Sequence, residues 1–104
     1  MAENGASAQR ASAYAEGVPC WVDAQLSDVR AGKRFYGELF GWTFDETGPD
    51  ASVWARLDGE PVAALVPKTD GRMPTVWTVY FAARDAAALA ARIREAGGQI
   101  VTPP

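Results

Sequence analysis

The sequence predicts an α+β fold in which one β-α-β-β-β module is followed by an incomplete second module of strand, helix and the start of another strand. Three observations point there. The stretch "GVPCWVDAQLSD", residues 17–28, alternates like a strand and runs into a helical pattern that stops at Gly41. Two apolar runs, "SVWARL" and "EPVAALV", are joined by Asp58-Gly59, a dipeptide favoured in two-residue hairpin turns. The order strand, aspartate, helix, glycine then recurs: Asp28 stands thirteen residues before Gly41, and Asp85 twelve before Gly97.

Each element has its own warrant. In the first strand the period of two sets Cys20, Val22, Ala24 and Leu26 on one face and Trp21, Asp23 and Gln25 on the other. "SDVRAGKRFYGELFGW" predicts a helix capped by Asp28, with Ala31, Phe35, Leu39 and Phe40 as its apolar face and Gly41 as its stop. Trp42 to Phe44 then enter an extended segment, and the Asp58-Gly59 hairpin completes the module, placed at 17–68. "PKTDGRMP" has the composition of a connecting loop. The partial second module, 74–104, holds the strand in "PTVWTVYFAARD" and a helix capped by Asp85 and stopped by Gly97-Gly98. "GGQIVTPP" reads as the entry to a returning strand.

With 104 residues, 48% of them hydrophobic and 22% charged, the chain fits one core of ordinary size. Ten basic and thirteen acidic residues give a net charge of -3 without a basic stripe, so nucleic acid is not an expected partner. No apolar run is long enough to span a bilayer. Cys20 is the single cysteine and cannot form an internal disulfide, which makes the cytoplasm the default compartment. The first sixteen residues, rich in Ala and Ser, read as a flexible tail.

Three stretches, "VPCWVDAQLSDVRAGKRFYGELFGWTF", "DGEPVAAL" and "VWTVYFAARDAAALAARIREAGGQIVTPP", together resemble the vicinal oxygen chelate superfamily of glyoxalases, bleomycin-resistance proteins and extradiol dioxygenases. The "FYGELFGW" helix end is similar to actinobacterial glyoxalase-like proteins that carry tandem domains and a loose hydroxylase label. The resemblance covers roughly residues 18–104 and implies that paired modules enclose a cavity between curved sheets. On that footing Trp21, Asp23 and Gln25 face the cavity, joined by Trp54 and Arg56 from the third strand and Thr78 and Tyr80 from the fifth. Val53, Ala55 and Leu57, and Trp77, Val79 and Phe81, are assigned to the helix side.

Metal-dependent members place His and Glu ligands on the first and last strands of each module. Alignment on the capping aspartates puts Trp21 and Thr78 at the two first-strand positions. An indole is a donor only and a neutral hydroxyl is a poor ligand. The chain also contains no histidine, which removes Ser-His and Cys-His pairs. No cofactor is expected, unless residues outside this chain supply a divalent metal. Cys20 is read as packing. Asp23 is a candidate ligand anchor or general base, with Arg56 as its nominated cationic partner, and Trp21 and Trp54 as stacking walls for a flat molecule.

Three functions follow as expectations. The first is binding of a small aromatic or amphipathic molecule without a metal. The second is a metal-dependent lyase or dioxygenase whose ligands lie outside this chain. The third is an assembly module, a homodimer or a sheet completed by another module, because an open strand edge invites pairing.

Overall fold

The computed structural model describes residues 14–46 and 51–104; residues 1–13, most of the expected tail, lie outside the described residues. The elements are β1 (Pro19–Leu26), α1 (Val29–Phe40), β2 (Thr43–Glu46), β3 (Val53–Leu57), β4 (Glu60–Pro67), β5 (Val76–Phe81) and α2 (Ala86–Glu95). The first five are the β-α-β-β-β module read from the sequence. The strands form one sheet in the order β2-β3-β4-β1-β5. β2 with β3 and β3 with β4 run antiparallel, while β1 and β4 run parallel. No helix among the described residues is long and apolar enough to cross a membrane.

Local chemistry sets the boundaries. Asp28 accepts a hydrogen bond from the Ala31 amide at 3.0 Å and so occupies one of the donors left open at the start of α1. Gly41 closes that helix in the left-handed region at φ 74°, its amide donating to the Gly37 carbonyl at 2.9 Å. Asp58 and Gly59 both have positive φ, 52° and 82°, the backbone a two-residue hairpin requires at its centre.

The chain divides into two compact units, one running Trp21–Tyr80 and the other joining the segment through Cys20 with Phe81–Pro104. The core of the Trp21–Tyr80 unit is a row of three side chains crossing adjacent strands: Ala24 of β1 opposite Leu65 of β4, which lies opposite Val53 of β3. Leu26, Val29, Tyr36 and Phe44 pack against it.

That packing corrects the apolar face expected for α1. Phe35 and Leu39 are 58% and 55% exposed, whereas Val29 and Tyr36 meet the core and Gly32 lies between them in the sequence. A Cβ at Gly32 would stand 2.5 Å from Leu26 Cδ1 and 3.4 Å from Leu65 Cδ1. The missing side chain therefore lets the helix approach the sheet along Val29, Gly32 and Tyr36, and the bulkier stripe is turned outward. Tyr36 is also the centre of an aromatic group with Phe35, Phe40, Trp42 and Trp77, and its hydroxyl accepts from Trp77 Nε1 at 3.2 Å. Val79 and Phe81, expected to pack beneath a helix, are exposed on β5, which lies at the edge of the sheet.

In the other unit, Asp85 caps α2 through the Ala88 amide at 3.0 Å. Gly97 at φ 96° donates to the Arg94 carbonyl, and Gly98 donates to the Ile93 carbonyl, the paired bonds of a Schellman closure. Residues 98–104 contain no strand. The expected start of a returning strand is not formed, since extended chain becomes a strand only when a neighbour supplies the ladder. The Ala82 amide donates to the Val18 carbonyl and the Ala82 carbonyl accepts from the Gly17 amide, both at 2.9 Å.

Glu16, at the end of the expected tail, accepts from the Arg84 amide at 3.2 Å and from Arg92 Nη2 at 2.9 Å. The Arg92 hydrogen bond, followed by that from Arg84, holds its carboxyl below the ordinary value of 4.5. A depressed carboxylate stabilises the fold fully above its unfolded value, and the contribution is lost as pH falls through the folded one. Urea midpoints between pH 6 and pH 3 are therefore expected to fall more for the native chain than for Glu16→Gln. Parallel curves would mean that the pair contributes nothing in solution.

Candidate functional site

A second row crosses the same three strands on the opposite face of the sheet, one residue along from the core row. Asp23 of β1 lies opposite Ala64 of β4, and Ala64 lies opposite Trp54 of β3. Trp21, two residues before Asp23 and therefore on its face, packs against Trp54 with ring centroids 5.7 Å apart and planes at 57°. The Tyr80 hydroxyl donates to Asp23 Oδ2 at 2.8 Å from β5. Trp21, Trp54 and Asp23 are 8%, 7% and 6% exposed, so a carboxylate is enclosed with two indoles and tied to a phenol.

The structure thus brings together Trp21, Asp23, Trp54 and Tyr80 of the residues singled out from the sequence. Gln25 and Thr78 continue the same alternation on β1 and β5 and are half-buried. Arg56 departs from expectation. Its Nε donates to Asp45 Oδ2 and its Nη1 to the Gly59 carbonyl at 3.0 Å, instead of pairing with Asp23. Register explains this: Thr43 of β2 faces Arg56, which makes Asp45 a diagonal neighbour on the adjacent strand. Asp23 is two strands away across β4. Cys20 is half-buried.

Ala64 was not singled out, although it occupies the middle of the row. A regular ladder from the Leu57–Glu60 pair would set Ala63 opposite Trp54; a register shift between Ala55 and Arg56 moves Ala64 there instead. Pro61 was the available signal, because a proline within a strand tends to mark an edge or an irregularity.

Trp21 and Thr78 hold the positions at which the resemblance puts the first-strand metal ligands. Trp21 fills its position with a buried ring packed on another ring, and an indole N–H offers a metal no lone pair. Among the described residues, no three His, Cys, Asp or Glu side chains converge as a cation would need. Trp21 and Thr78, at those two positions, do not fit a divalent ion.

A β-α-β-β-β module whose mixed sheet carries its helix on one face and aromatic and acidic groups on the other is the glyoxalase-like class of fold. The chain belongs to the Glyoxalase/Bleomycin resistance protein/Dioxygenase superfamily, whose family model matches residues 21–104. It is similar to CFP32 of Mycobacterium tuberculosis, whose name proposes it as a glyoxylase, with 39% identity over 99 residues covering 88% of this chain and 38% of CFP32. It is also similar to the anthracycline biosynthesis protein DnrV of Streptomyces peucetius, 37% identical over 108 aligned positions that cover 88% of this chain and 39% of DnrV. The chain spans less than two fifths of the length of these curated relatives.

Proposed function

We propose that this chain supplies one wall of a small-molecule binding site that works without a metal, and that the wall is the face bearing Trp21, Asp23, Trp54 and Tyr80. The observation that supports this reading most is the substitution of chemistry at the first-strand position. Where a metal enzyme of the family needs a lone-pair donor, this chain places a buried indole packed on Trp54, beside a carboxylate held by Tyr80. Such a face offers flat apolar contact and one strong hydrogen-bond acceptor, the two ingredients of an oriented ligand site. The name of DnrV associates that relative with anthracycline biosynthesis, which makes fused aromatic rings the first ligands to try here.

The test is a titration of the purified chain with an anthracycline aglycone, followed by tryptophan emission, alongside dialysis against zinc, nickel and manganese with metal content measured afterwards. The expected result is saturable quenching that weakens in Trp54→Phe, with no metal retained in stoichiometric amount. One bound ion per chain, or quenching that never saturates, would overturn the reading.

A further inference from the structure

The two edges of the sheet are built differently, and we propose that two copies of this chain pair through one of them. β5 lies antiparallel beside the partner's β5, and the aromatic surface next to β5 is enclosed between the copies. This surface is separate from the face that bears Trp21 and Trp54 and does not depend on the reading above.

β2 and β5 end the strand order. Edge strands of stable monomers are kept from pairing by shortness, by charge or by proline. β2 is guarded in this way: it is four residues long, and it carries Asp45 and Glu46, paired with Arg56 and Lys33. β5 is not. Its six residues, Val76–Phe81, include no charge and no proline, and among the described residues no strand lies beyond it. One guarded and one unguarded edge favour a closed pair over an open fibre, because copies joined through β5 present only β2 edges outward.

The side chains point the same way. Trp77 lies on the α1 side of the sheet, where it donates to the Tyr36 hydroxyl, and Val79 shares that side by the period of two. They are 40% and 48% exposed. On α1, Phe35, Leu39 and Phe40 are each more than half exposed. Phe35, Phe40 and Trp77 all meet the Tyr36 ring, so the apolar surface runs unbroken from helix to strand. One copy offers roughly 400 to 500 Å² here, so two approach the roughly 1,000 Å² of a specific interface before the strand backbones are counted. A two-fold axis perpendicular to the sheet keeps α1 side on α1 side. A register centred on Thr78 then sets Trp77 opposite the partner's Val79, apolar group on apolar group, with no charge of β5 facing its own copy.

Sedimentation velocity of the full chain from about 1 to about 200 μM tests the pairing by mass action. The mass is expected to rise to twice the 11.1 kDa of one chain and to stop there. Val79→Lys puts a charge on the exposed side of the edge strand. It is expected to raise the dimer dissociation constant at least about tenfold with an unchanged far-ultraviolet circular dichroism spectrum. Thr43→Lys, on β2 at the other edge, is expected to leave the constant where it is. Should Val79→Lys fail to fold, Phe35→Ser on the exposed helix surface is expected to weaken the dimer in its place. A native chain that stays at 11.1 kDa throughout would overturn the pairing, as would a mass that climbs past two copies with concentration. So would a dimer that the β5 or α1 variant leaves as tight as the native one, or that Thr43→Lys weakens to the same degree.

Discussion

Leu65→Ala is expected to destabilise the Trp21–Tyr80 unit by about 3 to 4 kcal/mol, in the middle of the range for leucine truncation in a core. Leu65 is fully buried at the centre of the row formed with Ala24 and Val53. What sets the magnitude is how little can move into the space left behind. Ala24 and Val53 are fixed by their strand registers, and the nearest turn of α1 presents Gly32, which has no side chain to relax inward. A domain of this size is held by about 5 to 15 kcal/mol, so the loss is a large fraction of the whole. Urea unfolding followed by far-ultraviolet circular dichroism measures it, with Leu65→Met as a volume-conserving control expected to lose less than about 1.5 kcal/mol. A loss below about 1 kcal/mol for the alanine variant would show that this row is not the core.

Much of this architecture can be read from residues whose chemistry is local. Asp28 and Asp85 cap their helices, Gly41 and Gly97 take the left-handed backbone, and Asp58-Gly59 turns the hairpin, each through contacts within a few residues of itself. The division of β1 into a core face and a mixed face is legible for a similar reason, since the period of two acts along the strand. What escapes the sequence depends on partners. The face α1 buries is chosen by Gly32, whose value lies in the closeness of Leu26 and Leu65, and a periodicity argument weighted toward large apolar residues picks Phe35 and Leu39 instead. Arg56 finds Asp45 because β2 lies beside β3, a fact of strand order. Ala64 reaches the middle of the mixed row only through the register shift near Pro61. The mixed face was therefore legible as a set of side chains along β1, and its cross-strand contacts were not.

Trp54→Ala is expected to cost the same unit about 3 to 4 kcal/mol and to abolish saturable quenching by the aglycone. The ring is 7% exposed, and its neighbour in the row, Ala64, cannot expand into the vacated volume. Part of the loss belongs to the contact with Trp21, and a double-mutant cycle isolates it. Trp21→Ala, Trp54→Ala and the double variant are expected to show a coupling of about 0.5 to 1.5 kcal/mol, the range for tilted and edge-on aromatic pairs. The sign matters for function. If the rings support one another, Trp54→Phe keeps an aromatic surface and much of the stability, so binding can be measured on a folded chain with one wall altered. A coupling near zero would mean that the indoles are independent fillers of the sheet face. Their juxtaposition beside Asp23 would then carry no argument for a shared ligand wall. A coupling in the expected range, together with weakened binding in Trp54→Phe, would tie the packing of this face to its use.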